Sequence, residues 1–132
     1  MSNNGASSGQ TTHSQADLQK INDDICILVT NGEMPEDIGI ACNPVPCEID
    51  DYDSHAMERL KMRGITLDDA QNYIDNAVIM FEQDGSRNLY LSGDGGSVLV
   101  SNSGKLITAY SKNEFKKHTR KILEVVCKHE DS

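Results

Sequence analysis

Beyond Met1, large apolar residues are absent from the first thirteen positions, and apolar positions then fall into runs of two different periods. Leu18, Ile21, Ile25 and Leu28 recur three and four residues apart, the period of an amphipathic helix. Ser14 stands three residues before Asp17 as a capping signal and Asn31-Gly32 supplies a stop, so a helix is expected over residues 15–30. Residues 33–53 lose that periodicity and carry Pro35, Pro44 and Pro46. They read as a long acidic arm, with a short extended piece around residues 38–41.

The pattern sharpens again near residue 53. Asp53 or Ser54 can cap a helix over 55–63, and Gly64 can close it in a left-handed conformation. Thr66 with Asp69 caps another helix, whose apolar side is Leu67, Ala70, Ile74 and Ala77. Four short strands follow at 78–81, 89–91, 98–100 and 106–110, separated by turn-forming Asp, Asn, Ser and Gly residues. Short turns favour antiparallel pairing. Ser111 with Glu114 then opens a last helix to about residue 128, with Phe115, Thr119, Ile122 and Val126 inward. The expected fold class is α+β: N-terminal helices, a four-stranded antiparallel meander and a C-terminal helix. Residues 1–13 are expected to form a disordered leader, 14–53 the helix and acidic arm, and 54–132 the α+β domain.

Composition narrows the function classes. The 132 residues suit one domain. No apolar run is long enough to span a bilayer, and no basic segment precedes an apolar one in the manner of a secretory signal. The expected location is therefore the cytoplasm, or delivery as an effector without a cleaved leader. The formal charge of −9 is uneven: residues 1–54 hold one base and ten acids, whereas residues 55–132 hold eleven of each. Acidity argues against non-specific nucleic-acid affinity for the whole chain, but the neutral C-terminal part escapes that argument. Cys26 and Cys127 fall inside expected helices, where thiols pack. The four-residue gap between Cys42 and Cys47 is not that of a zinc ribbon or a redox pair. Neither a metal nor another cofactor is expected.

His55, Arg59 and Arg63 are spaced four apart on the short helix. That spacing keeps an imidazole and two guanidiniums on one side, with Ala56 and Leu60 beside them to anchor the helix. Phosphodiester cleavage without a metal needs these groups: a histidine to move protons near neutral pH and a guanidinium to fork onto phosphate oxygens. The plainer reading is a solvated helix that carries arginines for solubility.

The run SHAMERLKMRGITLDDAQNYIDNAVIMF, followed by strands and then KLITAYS, resembles the barnase–EndoU–colicin–RelE group of small RNases, in particular its phage-associated and polymorphic-toxin members. The resemblance covers about residues 54–111. Those members tend to place two residues between the second and third basic positions of the helix, where this chain has three between Arg59 and Arg63. The resemblance implies a metal-independent endoribonuclease in which His55 and Arg59 line a cleft, with Thr108 and Tyr110 of the last strand facing the same phosphate. His55, Arg59 and Thr108 are the expected catalytic residues; Arg63 and Tyr110 support them in binding.

Lys112, Lys116, Lys117, Arg120 and Lys121 cluster with His118 near and along the final helix. Lys112, Lys116 and His118 are candidate phosphate-backbone contacts. The alternative is a solvated face on which the acidic arm docks, as an intramolecular plug. Gly93-Asp94-Gly95-Gly96 is a hairpin rather than a phosphate cradle, because it joins two strands. The expected partners are RNA, together with an immunity protein or a basic protein; a membrane is not among them. The competing expectation is a non-catalytic accessory module that binds a protein on the same fold.

Overall fold

A computed structural model of the chain describes residues 9–114 and 117–129. The first helix, α1 (Gln15–Thr30), is capped by Ser14, whose side chain accepts from the Asp17 backbone N–H, and it buries Leu18, Ile21 and Ile25. Two short strands come from the expected arm, β1 (Ile40–Cys42) and β2 (Asp51–Tyr52). Helix α2 (Ser54–Met62) is capped by Asp53, and Gly64 beyond it takes the left-handed φ of 70° that a side chain would resist. Helix α3 (Leu67–Asp75) opens on a reciprocal capping box between Thr66 and Asp69. The meander then follows: β3 (Ala77–Gln83), β4 (Arg87–Ser92), β5 (Ser97–Ser101) and β6 (Lys105–Tyr110). Helix α4 (Lys117–His129) closes the described chain.

The strand order is β1-β3-β4-β5-β6-β2. The four expected strands do pair antiparallel in sequence, yet they are the centre of a six-stranded mixed sheet. The arm supplies both edges, β1 antiparallel to β3 and β2 parallel to β6. The sequence expectation of a simple four-stranded antiparallel sheet is corrected on this point. Strand β1 falls at the extended piece expected around residues 38–41, whereas the two-residue β2 carries too little alternation to be read from sequence and is placed by its backbone pairing.

Helices cover both faces. On one face, α2 and α3 bury Ala56, Leu60, Ala70, Tyr73 and Ile74 against Met80, Tyr90, Val98, Val100, Leu106 and Ala109. On the other, α1 and α4 bury Ile21, Ile25, Ile122 and Val126 against Ile79, Phe81 and Leu91. The arm between β1 and β2 packs Cys47 and Ile49 onto the α2–α3 face. Its backbone is held there: Tyr90 Oη donates to Val45 O (2.9 Å), and Gln71 both donates to Cys47 O and accepts from the Ile49 N–H. The later arm therefore lies on the α2–α3 face, away from α4, and the plug expectation holds only for the start of the arm, where Glu33, Met34 and Ile38 meet α4. The basic side of α4 meets one carboxylate of the arm, Lys121 with Glu33 (2.9 Å), and one of α1, Lys128 and His129 with Asp24.

Three further expectations change. The disordered leader does not extend to residues 9–13. Thr11 N–H bonds Ala77 O, and the buried His13 ring sits 2.7 Å from Val78 O, beside the β3 bulge that leaves this carbonyl available. The final helix does not start at Ser111, whose hydroxyl instead accepts from the Asn113 N–H and caps a 3-10 turn, Lys112–Glu114. Cys26 and Cys127 are exposed rather than packed, and all four cysteines are free thiols. Burial raises the thiol pKa of Cys42 and Cys47 above its ordinary value, which disfavours the reactive thiolate.

Candidate functional site

Helix α2 packs along β6, with its first turn by β2 and its last by the end of the strand. Four-residue steps are not a straight line on a helix: each turns about 40° past a full circle. The direction of turn in α2 is toward Ala56 and Leu60, its buried side. His55 therefore faces solvent, Arg59 turns partway, and Arg63 reaches the boundary with the sheet.

The contacts follow that rotation. His55 is 81% exposed, with Nδ1 3.9 Å from Glu58 Oε1. Arg59 is also exposed. Arg63 is partly buried, and its Nη1 donates to Thr108 Oγ1 at 3.0 Å and to Ala109 O at 3.2 Å. Its guanidinium carbon lies 4.2 Å from the centroid of the Tyr110 ring, within the range of a cation–π contact.

The sheet makes this contact available. Strand β2 pairs with β6 only at Lys105 and Leu106, so the outer edge of β6 is left for other partners beyond Leu106. Thr108 and Tyr110 pair with Leu99 and Ser97, while Ala109 pairs with Val98 of the α2–α3 core. Alternation then places Thr108 and Tyr110 on the face opposite α2. Arg63 crosses the sheet edge to meet them, satisfying an edge carbonyl on the way.

Among the expected site residues, Arg63, Thr108 and Tyr110 are brought together. His55 stands about 12 Å from Arg63 along the helix axis, and Arg59 about 6 Å. Thr108 and Tyr110, which the resemblance set facing one phosphate with His55 and Arg59, make their direct contact with Arg63. The cumulative 40° turn was the signal in the sequence that could have singled it out. At the N-terminal end, the backbone N–H of Ala56 holds the Asp53 carboxyl below its ordinary pKa, with Lys105 and His55 contributing. Lys105 is exposed at the start of β6, which adds a cation beside the His55 end.

The remaining candidates are dispersed. His118 lies beside Tyr110 along a shallow, mostly apolar hollow of about 200 Å³ on the α4 face. Lys112 lines a separate polar hollow of about 410 Å³ with Asp69, Asn72, Tyr73, Asn76 and Asp94. Its backbone N–H donates to Tyr73 Oη. Lys116 lies outside the described residues. Among the described residues, no group of three or more His, Cys, Asp and Glu side chains could hold a metal ion, and no helix is long and apolar enough to cross a membrane.

Comparison with protein-family models, with curated proteins and with solved structures gave no match to this chain.

Proposed function

We propose that the α2–β6 edge binds single-stranded RNA by its phosphates and that the protein is a metal-independent endoribonuclease. One observation carries the reading: His55, Arg59 and Arg63 rise along one helix at successive turns, and the last of them is locked onto β6 by Thr108, Ala109 and Tyr110. The rise of about 6 Å per pair of groups is close to the spacing of neighbouring phosphates on an extended strand. Arg59 then forks onto the scissile phosphate, and Arg63, pre-oriented at the sheet edge, takes the adjoining one. His55, one turn from Arg59, accepts the proton of the 2′-hydroxyl as that oxygen attacks phosphorus, or returns one to the leaving 5′-oxygen. The products are a 2′,3′-cyclic phosphate and a 5′-hydroxyl.

A second reading draws on the 81% exposure of the His55 side chain. An imidazole standing in solvent with Glu58 beside it fits a binding face as well as a general base. On that reading the same edge serves an accessory module without catalysis, and the acidic N-terminal residues meet a basic partner protein.

One experiment separates the two. Purified protein is incubated with total RNA in EDTA. The nuclease reading expects cleavage that leaves cyclic phosphate ends, with His55→Ala lowering the rate by about a hundredfold or more. Intact RNA after incubation with the wild type, or equal cutting by His55→Ala, removes the enzyme and leaves the binding module.

A further inference from the structure

The Tyr110 ring belongs to two places at once. Arg63 lies over it at the sheet edge, and the same residue lines the hollow of about 200 Å³ on the α4 face. Leu89, Leu91, Ile38 and Ile122 form the apolar part of that hollow, while Asp37, Gln83, Ser97, His118 and Thr119 bring polar groups to it. Gln83 Nε2 already donates to Ile38 O at 3.0 Å, so its amide oxygen remains as an acceptor. The volume suits one flat heterocycle.

From this juxtaposition we infer that the hollow is a nucleobase subsite, filled by the unstacked base next to the phosphate that Arg63 holds. The inference rests on the phosphate reading of the α2–β6 edge and extends it across the edge. Single strands are recognised by a cationic track for the backbone together with aromatic and apolar surfaces for the bases. Here Tyr110 joins the two. The Asp37 carboxylate and the Gln83 amide oxygen are acceptors, so a base that offers an exocyclic amino group is favoured over uracil.

The test is equilibrium binding of the full chain to short 2′-O-methyl oligonucleotides, which cannot be cleaved. Oligo-A, oligo-U and an abasic strand of equal length and charge are compared. The expected order is oligo-A, then oligo-U, then abasic, with about tenfold between the first and the last. Thr119→Trp, which fills the hollow from the α4 side without touching Arg63, should bring oligo-A down to the abasic affinity and leave abasic binding unchanged. Equal affinity of oligo-A and the abasic strand overturns the base subsite while leaving the phosphate reading in place. Absence of binding to every strand overturns both. An undiminished preference for oligo-A in Thr119→Trp, with its fold verified by circular dichroism, places the base elsewhere and also overturns the subsite.

Discussion

Arg63 shows how much a single side chain can be asked to do at a sheet edge. Its guanidinium satisfies a backbone carbonyl, a hydroxyl and an aromatic face at once. Lysine keeps the charge but lacks the planar fork. Arg63→Lys should therefore destabilise the fold by about 1–2 kcal/mol through the lost hydrogen bonds and stacking. Urea denaturation measures this, and a wild-type midpoint would show that the clamp contributes nothing to stability. Glycine 96 matters for the opposite reason, its lack of a side chain. A Cβ there would fall 2.4 Å from the Tyr73 ring, whose hydroxyl also receives the Lys112 N–H. Gly96→Ala should cost about 2 kcal/mol or more by overpacking, read as a lowered melting temperature.

At the scale of elements, the arm is the part whose role the sequence least foretold. It leaves one sheet edge as β1, crosses the α2–α3 face and joins the other edge as β2. The open side of β1 is closed by one residue of α1. Asn22 donates to Ala41 O and accepts from the Ala41 N–H, at 3.0 and 2.9 Å, in place of a further strand. Exposed strand edges invite pairing with other chains, and Asn22 occupies this one. Asn22→Leu leaves both Ala41 groups unmet and should cost about 1–3 kcal/mol, with concentration-dependent association in light scattering as the edge opens. An unchanged denaturation midpoint with a monodisperse sample would refute the blocking role.

For the molecule as a whole, α1 and α4 share a face and are tied by charge. His129 and then Lys128 hold the Asp24 carboxyl below its ordinary pKa, and Lys121 does the same for Glu33. Because both values are lower in the folded chain, the unfolded chain takes up protons first as the pH falls. Stability from these contacts is whole above the ordinary carboxylate range and is lost as the pH drops through that range to the folded values. Denaturation followed across acidic pH should show a shallower decline for an Asp24→Asn, Glu33→Gln double variant than for the wild type, and parallel curves would reject the linkage.

Local patterning alone determined the amphipathic helix over 15–30, a cap at Asp53 or Ser54, the cap at Thr66, and the four central strands with their antiparallel order. These depend on side-chain period and turn chemistry within a few neighbouring residues. The tertiary structure alone decided that the arm would add a strand at each edge, that His13 would be buried, and that Arg63 rather than Arg59 would meet Thr108 and Tyr110. Each of those outcomes joins residues 30 or more positions apart through backbone edges or the accumulated turn of a helix. The helical turn could rank Arg63 nearest the buried side of α2, but which strand and which residues meet it has no counterpart in the linear order, because that arises only when the two faces of the sheet have been covered.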